Sequence, residues 1–264
     1  MTRSISNPEL PVTAYGKLPP WTKLLSVLLA LLVWQLAAWL VQSHLLLVSP
    51  WTALVRLVIL SGQGSFWLAV FHSLGRILLG FALALVTGIC LAVFSARWPL
   101  MDVLLWPYMA AIKATPVASF IILCLIWLDS RSLSVFISFL MVLPIIYTSV
   151  LQGIRSTDVQ LLEMAQVFRV NRWRRLCYIY LPQLRPFLVS SCTVATGLAW
   201  KAGIAAEVIG IPAGTIGERL YQAKIYLDTG DLFAWTIVVV GLSIVVDKAI
   251  VHGLDRLFAC MESR

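Results

Sequence analysis

The chain has 264 residues, 60% of them hydrophobic and 12% charged, with a formal net charge of +8. A soluble domain carries about 25% charged residues, so this composition excludes one and indicates a polytopic membrane protein. The length allows about six spans of ~20 residues. The positive charge does not point to nucleic acid, because Lys and Arg cluster in loops between apolar runs.

Residues 1–20 are polar and proline-containing, without the short apolar segment of a secretory signal, and read as a cytoplasmic tail. Residues 21–42 form the first predicted span, with Trp21 and Lys23 as interfacial anchors. Ser49-Pro50 opens a helix that contains Arg56 and ends at Ser61-Gly62-Gln63-Gly64. It is too short to cross and reads as interfacial, completing a unit over 21–64. A core follows over 65–256. Its second span, 65–94, carries Arg76, and Arg97-Trp98-Pro99 separates it from a third, 103–128, containing Lys113, Thr115 and Pro116. The fourth, 133–154, has no charge and one proline, Pro144. The fifth, 187–209, contains Lys201 and Glu207. A polar connection over 210–231 includes an amphipathic helix predicted at 216–226. The sixth span is 232–253, and 257–264 form a short cytoplasmic tail.

Between the fourth and fifth spans lies a basic stretch, the loop 155–185, with six Arg: Arg155, Arg169, Arg172, Arg174, Arg175 and Arg185. Thr157 and Gln160 form a capping-box pattern, with Asp158 at the positive end of the helix dipole. Leu161, Met164, Ala165 and Phe168 fall at i, i+3, i+4 and i+7, which predicts one apolar face. A second basic segment follows Asn171, interleaved with Trp173, Leu176 and Tyr178, and Pro182 is placed to open the next helix. Six spans put thirteen Lys and Arg on the side of this loop and four (Arg56, Arg131, Arg219, Lys224) on the other. That bias places the loop and both termini in the cytoplasm.

The five Cys form no C-x-x-C pair and the three His lie far apart, so neither a disulfide framework nor a metal site is expected. No phosphate-cradling G-x-x-x-x-G-K-[ST] and no G-x-S-x-G occurs, so the chain is not expected to hydrolyse ATP or act as an enzyme. Ionisable residues inside spans are costly and usually face a cavity or a partner. Lys113, Thr115, Lys201 and Glu207 are therefore the candidates for a solute pathway, with Lys201 alternatively paired to Glu207. The row Ser191, Ala195, Ala199, Gly203 reads as a helix-packing seam.

Glu163, Ala165, Ile179, Leu181 and Pro182 occur at the spacing of the "EAA" loop, and in this the chain resembles the permease subunits of binding-protein-dependent ABC importers. Met164 replaces a usual Ala, and Arg169 a usual Gly, so the turn is expected at Asn171 instead. Ser73-Leu74-Gly75-Arg76, Gly80-Phe81, the Pro116 region, Gly197-Leu198-Ala199-Trp200, Ala206-Glu207 and Asp228-Thr229 are similar to the branch that handles nitrate, sulfonates, taurine, bicarbonate and vitamin precursors. The resemblance implies an all-α type I importer permease of the bacterial inner membrane that binds no cofactor itself. Its implied partners are a second permease copy forming a homodimer, two cytosolic ATP-binding subunits that use the ATP, an extracytoplasmic substrate-binding protein, and membrane lipid. It assigns ATPase coupling to Leu161, Glu163, Ala165, Phe168, Arg169, Asn171, Ile179, Leu181 and Pro182. The solute implied is small and anionic or polar. The alternative from another class is an ion-coupled secondary transporter, which usually shows internal repeats; the sequence has none evident.

Overall fold

A computed structural model describes residues 20–41 and 47–262. The tail ahead of Pro20, the connection containing His44, and Arg264 lie outside the described residues, as does the side chain of Lys23.

The described chain is helical from end to end. Helix α1 (Pro20–Val41) is apolar on all sides, and nearly all its described side chains are exposed, as a lipid-facing helix requires. Its main tether is Trp34, whose indole N–H donates to the Val48 carbonyl at 3.1 Å and whose ring lies on Phe233. Helix α2 (Pro50–Ser61) starts at Ser49, which caps Thr52 N with its hydroxyl, and has Pro50 in its first turn. Its 12 residues reach ~18 Å, short of a ~30 Å hydrocarbon core.

The centre is a three-helix core of α3 (Gly64–Arg97), α6 (Ser130–Arg155) and α9 (Leu181–Gly210). Small residues let their backbones approach closely, as helix packing within lipid requires. A Cβ on Gly80 would sit 2.3 Å from the Val135 carbonyl, and one on Gly203 would meet Ile77 and Ser138 Oγ at 2.6 Å. Ser138 Oγ donates to the Ala199 carbonyl at 3.2 Å. Ser191, Ala195, Ala199 and Gly203 are all buried, the seam that their spacing predicts.

The third span is not continuous. It breaks into α4 (Pro99–Ala114) and α5 (Val117–Cys124), bent by 103°. Pro116 disfavours the helical region for the residue before it, and Thr115 takes φ −81°, ψ 131°. Hydropathy registers an unbroken apolar run there and misses the bend. The fifth span is longer than predicted. A continuous helix runs from Arg172 to Gly210, comprising α8 (Arg172–Arg175), a π-helical turn (Leu176–Tyr180) and α9. Pro182 does not open a separate helix. The wider π turn just ahead of it accommodates a residue that lacks an N–H and crowds the carbonyl four residues back. Helices α10 (Ile216–Ile225) and α11 (Thr229–Glu262) complete the chain.

Among the described residues, four helices are long and apolar enough to cross a membrane: Gly64–Arg97, Ser130–Arg155, Arg172–Gly210 and Thr229–Arg256; the bent α4–α5 pair, counted as one broken span, gives a fifth. The apolar part of α1 is a shorter segment, Leu25–Val41. Ion pairs lock the two ends of the bundle. At the end bearing the basic loop, Arg155 meets Asp102 at 2.8 Å and Arg185 meets Asp255 at 3.2 Å. At the far end, Arg56 bridges Asp228 (2.8 Å) and Asp231 (2.9 Å), tying α2 to the α10–α11 connection. Burial alone would raise the Asp228 carboxyl, but the Asp231 backbone N–H and the Arg56 guanidinium outweigh it and hold the group below its ordinary value.

Candidate functional site

The basic loop folds around α7 (Val159–Val167). Asp158, not Thr157, caps it: its carboxylate accepts from Gln160 N at 2.8 Å. Thr157 is buried and turns its hydroxyl back toward the Gly153 carbonyl. The Asp158 N–H donates to Gln183 Oε1 at 3.0 Å, which fastens the start of α7 to the base of α9. The predicted apolar face is split. Ala165 is only 1% exposed in the lone chain, while Met164, Val167 (78%) and Phe168 (75%) stand in the open. Ala165 therefore seats the helix on its own chain and is not available to a partner, correcting its assignment to a docking face. Leu161 is partly exposed, and Glu163 is exposed among these apolar side chains.

The turn after α7 falls at Arg169, not at Asn171. Arg169 has φ 50°, whereas Asn171 is extended and begins α8. Arg169 N donates to the Gln166 carbonyl (3.1 Å) and Val170 N to the Ala165 carbonyl (2.9 Å), the paired bonds of a Schellman ending. A left-handed conformation costs a non-glycine residue roughly 1–2 kcal/mol, so this chain makes with Arg the turn for which Gly is suited. Arg169→Gly is expected to stabilise the loop by about 1 kcal/mol, read as slower hydrogen exchange at the Val170 amide. Arg169→Val is expected to speed that exchange.

Ile179 is buried and Leu181 half-buried at the junction with α9, while Pro182 is exposed. Of the six Arg, Arg155 and Arg185 are ion-paired within the chain. Arg169, Arg172, Arg174 and Arg175 meet no carboxylate among the described residues.

The four intramembrane candidates are not brought together in one place. Glu207 is 0% exposed. Ser73 Oγ donates to its Oε2 at 2.5 Å, and Gly217 N does so at 3.3 Å. Ser73 Oγ also accepts from Ile216 N at 2.9 Å. The carboxylate thus sits on the N-terminus of α10, where free N–H groups and the helix dipole favour negative charge, with Arg76 close enough to act on it electrostatically. Thr215 Oγ1 accepts from Glu218 N, the Gly214 N–H donates to Glu218 Oε2 at 2.6 Å, and the carbonyl of Gly214, which takes φ +72°, lies 3.1 Å from His72 Nδ1. Gly217 is required: a Cβ there would lie 2.2 Å from Glu207 Cβ. Glu207 so placed is closed off from any path through this chain. Lys201 is not its partner; it is exposed on the α9 face that also carries Ser190, Thr193 and Gly197. Lys113 is exposed two residues before the break in the third span, with Nζ 3.5 Å from Thr148 Oγ1. Thr115 spends its hydroxyl on the Ala111 carbonyl at 2.8 Å.

Sequence reasoning did not single out Ser73, Thr215 or Gly217 as a unit, nor the cluster at the loop end. There Tyr147 donates to Asp102 at 2.8 Å and lies 3.1 Å from Ser95 Oγ, beside the Asp102–Arg155 pair. The available signal was a buried-type acid, Glu207, followed ten residues later by a glycine that opens an amphipathic helix.

The model of the family described as "Binding-protein-dependent transport system inner membrane component" matches residues 80–259. The chain belongs to this family. The match takes in the whole basic loop and every helix from α4 onward up to residue 259, so the permease core and its loop are family features. The permease is 28% identical over 226 residues to the putative aliphatic sulfonates transport permease protein SsuC of Bacillus subtilis, covering 83% of this chain and 80% of that protein. It is 26% identical over 200 residues to the bicarbonate transport system permease protein CmpB of Synechocystis sp. (75% and 70%). It is 25% identical over 218 residues to the taurine transport system permease protein TauC of Escherichia coli (80% and 77%). Among solved structures, an amino acid ABC transporter crystallised with histidines matches with TM-score 0.50 at 18% identity, covering 75% of this chain and 94% of that one. This likeness supports the type I permease fold.

Proposed function

We propose that this permease forms the translocation path of an ATP-driven importer for a small anionic or polar solute. Two copies assemble as a homodimer, an extracytoplasmic binding protein delivers the solute, and two cytosolic ATP-binding subunits dock on the loop 155–185. The observation that carries this reading is α7 itself: a short helix held rigidly at both ends that presents one acid, Glu163, among exposed Met164, Val167 and Phe168. Exposed apolar residues around a charge at the basic, loop-bearing end of a membrane bundle are what a protein groove can cover. The relatives named for bicarbonate, sulfonates and taurine support an anionic solute. In this reading closure of the ATP-binding subunits moves α7, and the continuous Arg172–Gly210 helix carries that motion into the membrane.

The polar α9 face with Ser190, Thr193, Gly197 and Lys201 faces the second copy and the path rather than lipid, since a Lys in hydrocarbon costs roughly 2.5–3.5 kcal/mol. Glu207 and α10 brace the outer end. Tagged permease purified in mild detergent should bring down an ATP-binding subunit, and uptake should depend on ATP. Purification of the permease alone, with uptake driven only by an ion gradient, would favour a secondary transporter. Both termini lie in the cytoplasm in this arrangement. Reporter fusions after Arg264 and at 97–99 should give cytoplasmic signals, and a fusion at Gly214 an external one; a cytoplasmic signal at Gly214 breaks the topology.

A further inference from the structure

At the loop end of the bundle, α4 and α6 flank an open-sided cavity of about 460 Å³, within the ~300–1,000 Å³ range of small-molecule sites. Two helical stripes face each other across it. Trp106, Met109 and Lys113 come from α4, and Thr148, Leu151 and Gln152 from α6. The Asp102–Arg155 ion pair, with Tyr147 donating to Asp102, forms one end. Lys113 stands at the other, 11 residues and so ~16 Å along α4 from Asp102.

Three independent observations make this a site. The first is charge. Asp102 is already satisfied by Arg155 and Tyr147, and no carboxylate pairs with Lys113 among the described residues. Its Nζ donates to Thr148 Oγ1 over a long 3.5 Å, which leaves its charge unneutralised and its other N–H groups for a ligand. The second is the break in the span. Irregular backbone at membrane depth is tolerated where it is buried in protein or lines a cavity, and the break at Thr115-Pro116 begins two residues after Lys113, just beyond the cavity's end. The third is the lining itself. One free cation and the Gln152 amide are set against an apolar wall of Trp106, Met109 and Leu151.

We propose that this cavity is an anion-binding station on the inner half of the path, a reading that rests on the permease function proposed above. Its ligand is a small organic anion. Lys113 Nζ and the Gln152 amide donate to the oxyanion head, and a short apolar body lies against Trp106, Met109 and Leu151. A bare inorganic anion would use the charge but leave the apolar wall uncovered.

The test is calorimetric titration of the purified permease–ATPase complex, without binding protein, using pentanesulfonate, nitrate and bicarbonate as probes. Wild type should bind pentanesulfonate saturably, with nitrate and bicarbonate at least about tenfold weaker. Lys113→Met should weaken pentanesulfonate binding about tenfold or more, the loss of one charged hydrogen bond, and Lys113→Arg should restore most of it. Lys224→Met, a cation at the far end of the bundle, should leave binding unchanged. The site is wrong if wild type shows no saturable binding, if Lys113→Met binds as wild type does, or if Lys224→Met weakens binding equally. The ligand class is wrong if nitrate or bicarbonate binds as tightly as pentanesulfonate. Each of these results leaves the permease reading standing as long as the ATP-binding subunit still co-purifies; failure to co-purify overturns that reading instead.

Discussion

Glu207→Leu is expected to sharply reduce the amount of folded permease in the membrane. The substitution leaves the buried Ser73 Oγ and Gly217 N without their acceptor and the half-buried Arg76 without the nearby carboxylate. Each buried donor left without an acceptor costs roughly 1–3 kcal/mol, and two together are a large part of the stability of most proteins. Gly217→Ala should act in the same direction, because its Cβ would lie 2.2 Å from Glu207 Cβ and 2.5 Å from the Glu207 carbonyl carbon. Thermal midpoints from fluorescence size-exclusion, with limited proteolysis across 211–228, measure both. Glu207→Gln keeps an acceptor and should lose less. A Glu207→Gln protein that is as stable as wild type but transports nothing would instead place the carboxylate on the solute path.

Ala165→Asp is expected to unseat α7 from its own chain. At 1% exposure the new carboxylate is taken out of water, and burial of a charge costs on the order of 4 kcal/mol or more unless it is paired. Hydrogen exchange across 157–182 should accelerate, and ATPase association should fall because the helix is no longer presented. The remaining spans should stay inserted, since the core of α3, α6 and α9 does not depend on the loop. Ala165→Gly should be mild by comparison. Unchanged exchange in Ala165→Asp would mean that the loop is held by its ends alone, through Asp158–Gln183 and the Arg172–Gly210 helix.

Much of this architecture is legible in the sequence because membrane spans announce themselves by length and apolarity. Helix α2, opened by Ser49-Pro50, and the amphipathic α10 carry local signals, a cap with a proline in one case and a polar face in the other, and both fall within a residue of their predicted bounds. The bend at Thr115-Pro116 and the continuity through Pro182 were not legible. Whether a proline breaks a helix or is absorbed by a π turn depends on the surrounding packing. Arg169 shows a second limit. Residue preference favoured Asn171 for the left-handed position, yet the hydrogen bonds ending α7 require it two residues earlier. Glu207 shows a third. An acid in an apolar run suggests a path, and only the return of α10 onto α9 reveals that its carboxylate serves that helix's N-terminus.

The coupling role of α7 is the central claim, and co-purification of the ATP-binding subunit with tagged permease tests it most directly. Wild type should be compared with Glu163→Lys and with the double substitution Val167→Ser, Phe168→Ser. All three altered residues are exposed, so the permease itself should stay abundant, inserted and as heat-stable as wild type. Both variants are expected to lose most of the bound ATP-binding subunit, and ATP-dependent uptake with it. Wild-type association and uptake in both would contradict the assignment of α7 as the coupling element.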